Sequence, residues 1–468
     1  MRNRWVRIAA VVCVALVDGL AAAAAWAYPL DLYEQTGMMR LKAYYLASEG
    51  PMKGRFLYPG ALLPGARVRL RLADRPGFAI PQADRALTAE VVGLLGRDAA
   101  DYSLVVLDLT DPARPVLASH NAERVLSPGS VGKVLVLLAW FQALADIYPT
   151  DTAARQRVLR EAMITANDLI VADDHEVPMW REGDRKVTVR PLVQGDTANA
   201  WSYLDWMSSA SSNAAASMAM AHLILLRQTR ADYVSMSQHL DDLLNSTPKP
   251  ELQRMLVTAM ESPVRRNGLN PAKLRQGSLF TRRGKERIPA AGSHTTARAL
   301  LEFAVRMEQG KLVDPFSSLE IKRLLYLTDE RIRYASSPAL ESSAVYYKSG
   351  SLYACKPEPG FACGEYEGNV KNFLNSLAIV ETFDRKPELH YIAVVLSNVL
   401  RRNSALEHQT LATGIHRLIE ARHPAQTPPA PPAATKPNES KGVEEKASES
   451  PERDASQPSR RSSDRTRR

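Results

Sequence analysis

Cysteine is scarce in this chain, with three residues in 468. Cys13 falls in an apolar N-terminal segment and does not resemble a lipid-attachment site, so only Cys355 and Cys363 remain. A metal held by that pair would need further ligands, and none is spaced to supply them. The intervening Lys-Pro-Glu-Pro-Gly-Phe-Ala suits a turn between two strands, so in an oxidising compartment the pair is expected to close a hairpin tip as a disulfide. The chain also lacks a His-Glu-x-x-His string, which leaves a zinc hydrolase without support. No metal and no cofactor is expected. Dense charge of one sign is missing too. The formal net charge is +9, part of it at the two ends, and what falls between them is a mild excess with no dense basic block. That balance argues against nucleic-acid binding.

The length allows one large domain or two ordinary ones. Arg2, Arg4 and Arg7 precede an apolar stretch, Ile8–Val17, and an alanine-rich segment that ends Ala25-Trp26-Ala27. A charged start, a short apolar core and an Ala-x-Ala end describe a secretory signal over 1–27, cleaved after Ala27, with the periplasm or cell envelope as destination. The alternative is an uncleaved membrane anchor, since residues 6–30 approach spanning length, although Asp18 sits in the middle. At the other end, residues 423–468 are rich in proline, alanine, serine and alternating charge and cannot bury a core, so a disordered tail is expected.

Between these ends, 28–83 reads as an N-terminal extension: a helix near Leu32–Ser48, a proline- and glycine-rich stretch, and a strand at Ala66–Leu72. No chemistry attaches to it. Residues 84–422 form the main domain. An amphipathic helix at 84–98 leads to strands at Ser103–Leu109 and Pro115–Ser119. A long section of helices follows, with 165–198 irregular and 261–294 a basic, glycine-punctuated loop. Strands at Ser343–Cys355, Val370–Glu381 and His390–Asn398 and a last helix at 403–422 close the domain. Strands at both ends with helices between predict an α+β fold: one antiparallel sheet built from both chain ends, with a mainly helical lobe inserted.

The chemistry centres on Ser130-Val131-Gly132-Lys133 and the apolar run that follows it, Val134–Phe141. Serine and lysine three apart at a helix start share one face, so the amine can reach the hydroxyl it would deprotonate. A run apolar on every side marks an enclosed helix, whose N-terminal amides and dipole favour negative charge near Ser130. The second Ser-x-x-Lys, Ser246-Thr247-Pro248-Lys249, carries a proline and no apolar run, and reads as a loop. Pro128-Gly129-Ser130-Val131-Gly132 lacks the first glycine of a nucleophile elbow. Asp173-Asp174-His175-Glu176 has metal-binding residue types, but adjacent loop residues rarely point at one ion, so it reads as a solvated acidic turn.

Downstream lie Ser211-Ser212-Asn213 and Lys348-Ser349-Gly350. The three strings, in this order and context, resemble the active-site signature of the serine β-lactamases and penicillin-binding proteins. Over residues 84–422 the layout is similar to the class A β-lactamase fold. The resemblance implies Ser130 as nucleophile, Lys133 as its base, Ser211 as proton shuttle and Lys348 as the cation that polarises it. It also implies that Asn213, Ser349, Gly350 and Ser351 bind substrate, with the amides of Ser130 and Ser351 as the oxyanion hole. The expected partner is a small-molecule β-lactam, or alternatively a peptidoglycan peptide handled by a D,D-peptidase; an inactive wall-binding module keeps the fold without the chemistry. Two departures stand out. Ser212 replaces the usual aspartate. The stretch Arg275–Gly284, where the family's deacylating glutamate is expected, has no carboxylate; Glu286 is too close to Thr295, and Glu261 too far upstream, for that role. Without an activated water the acyl-enzyme is expected to linger.

Overall fold

The computed structural model describes residues 29–48, 57–328 and 331–426, with Gly50 and Met52. The 1–27 segment, read as signal or anchor, and nearly all of the 423–468 tail lie outside the described residues. In chain order, helix α1 (Met39–Ser48) precedes α2 (Arg85–Gly93), strands β1 (Tyr102–Asp108) and β2 (Val116–His120), and helices α3 (Lys133–Ile147) and α4 (Thr152–Glu161). Short strands β3 (Met163–Thr165), β4 (Glu176–Met179), β5 (Thr188–Pro191) and β6 (Thr197–Asn199) come next. Then follow helices α5 (Ala200–Ser208), α6 (Asn213–Thr229), α7 (Leu240–Ser246) and α8 (Lys249–Arg266). After β7 (Leu274–Arg275), α9 (Arg282–Arg287) and β8 (His294–Thr295) come α10 (Ala297–Glu308) and α11 (Pro315–Tyr326). The chain closes with β9 (Ala344–Ala354), β10 (Lys371–Glu381), β11 (His390–Asn398) and α12 (Ser404–Arg422).

Five strands form one antiparallel sheet in the order β2-β1-β11-β10-β9, so the N-terminal hairpin pairs with the last strand and the helices lie between in sequence. This is the α+β arrangement that strands at both chain ends imply. The central strands are apolar runs rather than alternations because both faces are covered. On β11, Ile392, Val394 and Leu396 join a core that includes α3, while Tyr391, Ala393 and Val395 join a second core with α2 and α12. The pleat of period two therefore divides one apolar strand between two cores. Helix α3 is buried at every position from Lys133 to Leu144, which accounts for its lack of a polar face.

Two segments differ from the sequence-based expectation. Ala66–Leu72 is not a strand: a 3-10 turn at Gly65–Arg67 leads into irregular chain, and the amides of Arg71 and Leu72 donate to the Glu308 carboxylate and carbonyl at the end of α10. Val68 and Leu72 are apolar because they seal the core, not because they pair with a strand. Nor is 261–294 a single loop, since α8 continues to Arg266 through Pro263 and the rest contains β7, α9 and β8. The extension before α2 shares the main core through Leu30, Leu32, Met38 and Leu41, and Arg40 forms a two-pronged buried ion pair with Asp205 of α5 (2.5 and 2.6 Å).

A second buried charge cluster ties α10, α11 and β10 together. Lys322 Nζ lies 2.6 Å from Glu308 Oε1 and 2.6 Å from Glu381 Oε1, all three essentially shut off from solvent. Burial pushes the Glu308 carboxyl above its ordinary value, and Lys322 opposes that shift. Removing the cation leaves two carboxylates facing each other in the interior. Lys322→Met is expected to destabilise the fold by about 3–5 kcal/mol, read as a lowered midpoint in urea denaturation.

Candidate active site

Ser130 sits in a 3-10 turn, Gly129–Gly132, that runs directly into α3. Lys133, the first residue of α3, is fully buried, and its Nζ is 2.9 Å from Ser130 Oγ. The same amine donates to the Ser211 carbonyl (2.5 Å) and to Asn213 Oδ1 (2.8 Å). A neutral amine has two N–H groups and one lone pair. With both donors engaged, the lone pair faces the Ser130 hydroxyl. Burial pushes the Lys133 amine down to about 7; Asp173 opposes the shift and Arg333 adds to it. The ring of Phe280, 4.7 Å from Nζ, covers another side.

Ser211 lies in the break between α5 and α6 with φ +59° and turns its hydroxyl into the cleft. That hydroxyl is 2.8 Å from Lys348 Nζ and 3.4 Å from Lys133 Nζ. Burial holds the Lys348 amine well below its ordinary value, reinforced by Lys133 and Arg333. Asn213 opens α6. Lys348, Ser349, Gly350 and Ser351 follow one another along edge strand β9, so side chains alternate while the backbone passes beside the serine turn. That approach requires glycine at two points. A Cβ on Gly350 would lie 2.3 Å from the Ser130 amide nitrogen, and Gly129, at φ +52°, lies against Gly350 and the Ser351 amide. The residues expected to act together, Ser130, Lys133, Ser211, Asn213 and Lys348 to Ser351, line one cleft or its immediate wall.

Four further contributors come from elsewhere in the chain. Arg333, at φ +55°, donates to Ser349 Oγ (2.7 Å), Ser351 Oγ (3.1 Å) and Tyr366 OH (3.1 Å). It places a guanidinium beside the hydroxyls expected to meet a substrate carboxylate. A lone arginine between a helix and a strand has no pattern that marks it in sequence. Gln276 lines the cleft from the β7–α9 loop, against Gly132, and its buried Oε1 has no hydrogen-bond partner among the described residues.

The remaining two correct the reading of Asp173–Glu176 as a solvated turn. The Asp173 side chain is 2% exposed and accepts hydrogen bonds from the Ala214 amide (2.7 Å), Ser212 Oγ (3.0 Å) and His175 Nδ1 (2.6 Å). Burial works against its charge, but these bonds outweigh it and hold the carboxyl below its ordinary value. Asp173 thus supplies, from another loop, a carboxylate at the start of α6, where Ser212 lacks one. With its oxygens so engaged it serves as a hydrogen-bond hub rather than a metal ligand. A missing charge at Ser212 was the only signal that a carboxylate should arrive from a distance.

Among the described residues no carboxylate lines the part of the cleft around Ser130, His175 and Gln276, and Glu176 lines its continuation past Ser211 and Lys348. Glu286 is half-exposed beside Arg282 and Arg283, and Glu261 pairs with Arg265 and Arg275. Cys355 and Cys363 are joined as a disulfide between β9 and β10.

No family model matches the chain, and no curated protein matches it. Similar solved structures include PBP-A, at 13% identity over 73% of this chain and 100% of that one, with a TM-score of 0.46. A β-lactamase from Sphaerobacter thermophilus is similar at 12% identity over 71% and 96%, TM-score 0.44. One from Chitinophaga pinensis is similar at 13% over 72% and 98%, TM-score 0.43. The chemistry of this chain stands on its own cleft geometry.

The backbone contact between Gly350 and the serine turn provides a direct test. Gly350→Ala forces the Ser130 amide away from β9 and is expected to slow labelling of Ser130 by a serine-directed probe about 100-fold or more, with circular dichroism of the folded protein retained.

Proposed function

We propose that the protein is an exported serine hydrolase of the β-lactamase and penicillin-binding-protein type, opening an amide through an acyl-enzyme on Ser130. The observation that carries this reading is the buried Lys133 amine, 2.9 Å from Ser130 Oγ with its other donors engaged. Lys133 removes the hydroxyl proton as Oγ attacks the carbonyl carbon. Charge developing on the carbonyl oxygen is met by the amides of Ser130 and Ser351. Ser211, polarised by Lys348, hands a proton to the departing nitrogen and is resupplied from the Lys133 ammonium, so the proton lost by Ser130 ends on the leaving group. A substrate carboxylate is held by Ser349 and Arg333, and Asn213 orients the substrate amide and Lys133.

The substrate we favour is a β-lactam. The second reading, a D,D-peptidase acting on wall peptides, is favoured by the length of the cleft. It passes Ser211 and Lys348 towards Pro178, which also borders a 620 Å³ cavity lined by Trp180 and Trp206. Export to the periplasm or envelope is supported by the pattern of 1–27 and by the Cys355–Cys363 disulfide, whether the leader is cleaved or kept as an anchor.

Intact-mass measurement of the protein mixed with a penicillin is expected to reveal a covalent adduct that Ser130→Ala abolishes; no adduct on the wild-type protein sinks the β-lactam reading. The acylation rate depends on the neutral amine. Because the Lys133 amine is depressed to about 7, that rate is expected to fall about tenfold per pH unit below this value and to level off above it. A flat profile from pH 5 to 9, measured by stopped-flow, removes Lys133 as the base.

A further inference from the structure

The serine cleft contains an acid–base pair that the acylation steps leave unused. His175 lines the cleft together with Ser130, Ser211 and Asn213, and its side chain is 37% exposed there. Its Nδ1 lies 2.6 Å from Asp173 Oδ1 and 3.5 Å from Asn213 Nδ2. A carboxylate at that distance accepts a hydrogen bond from Nδ1–H, which fixes the tautomer and leaves the lone pair on Nε2. Among the described residues, Nε2 has no hydrogen-bond partner. Asp173 is itself immobilised by the start of α6, so the imidazole is anchored to the same helix end that carries Asn213, one hydrogen bond from Lys133. Around Ser130 the cleft offers no carboxylate for activating water; Glu176 lies in its continuation past Ser211 and Lys348.

We propose that His175, oriented by Asp173, is the general base for hydrolysis of the Ser130 acyl-enzyme. The inference rests on the reading of Ser130 as nucleophile and adds the step that frees it. Water gives a proton to His175 Nε2 as its oxygen bonds to the acyl carbon. The tetrahedral intermediate then collapses with cleavage of the carbon–Oγ bond, and Oγ takes the proton held by the His175 imidazolium, so that Ser130, His175 and the neutral Lys133 amine all return to their starting states. One water is consumed and one carboxylic acid leaves. The Asp173–His175 pair thus stands in for the carboxylate missing from Arg275–Gly284, and the acyl-enzyme turns over rather than lingering.

The test follows the penicillin adduct by time-resolved intact mass in the wild type, His175→Ala and His175→Gln, with the rate of adduct formation measured alongside. Both variants are expected to form the adduct at the wild-type rate and to retain it at least about 100-fold longer, the lower end of what a general base contributes. Added imidazole is expected to shorten the adduct lifetime in His175→Ala and to leave His175→Gln unchanged, because only the alanine variant leaves room for it. Equal lifetimes in wild type and variants overturn the inference alone, as does slower adduct formation with unchanged lifetime, which marks His175 as a substrate contact. A wild-type adduct that persists for hours also overturns it. Absence of any adduct on the wild type overturns the acyl-enzyme reading, and this inference with it.

Discussion

The site depends on an amine kept away from water. An ammonium ion loses most of its hydration on burial, and Lys133 regains only part of it: two carbonyl-type oxygens, two hydroxyls and an aromatic ring surround it. Lys348 and Arg333 lie close enough to raise the cost of a second and third positive charge, and Asp173 is the carboxylate that partly offsets it for Lys133. The lowered affinity of this amine for a proton is therefore a consequence of where α3 begins. Its first residue is inside the protein because the twelve that start it are all inside.

Keeping those groups in register falls to the sheet and to a few strained residues. The five strands are packed on both faces, so β9 has little freedom to move away from the serine turn. Against that rigid edge, Ser211, Arg333 and Tyr366 hold left-handed backbone conformations, each costing on the order of 1 kcal/mol or more. All three side chains converge on the cleft. The N-terminal extension contributes at a distance: Arg40 anchors α5 through Asp205, and α5 ends at the turn that presents Ser211.

What could be read from the chain was what short-range spacing encodes. Serine and lysine three apart before an apolar run define a helix start and a buried amine in one string, and the runs at 103–109 and 390–398 declare strands covered on both faces. Cys355 and Cys363 flank a turn whose composition already brings them together. Where periodicity was ambiguous, tertiary contacts decided. Ala66–Leu72 alternates like a strand, yet its amides found the Glu308 carboxylate and the end of α10 before any strand edge.

The second set of groups was decided only in three dimensions. Asp173 looks like a solvated loop acid until α6 is seen to begin against it, and then it is a buried charge behind the cleft wall. His175 acquires a tautomer from that carboxylate, Arg333 acquires its role from two hydroxyls on β9, and Gln276 from its contact with Gly132. Apart from His175, whose partner Asp173 is two residues away, none of these has a neighbour in sequence that predicts its partner, because loops carry no period. The sequence by itself determined the serine–lysine pair at the start of α3 and the strands of the sheet beside it, since each is encoded by residues a few positions apart. The tertiary structure alone decided which distant carboxylate, imidazole and guanidinium surround them, since those meet only when the helical lobe closes on the sheet.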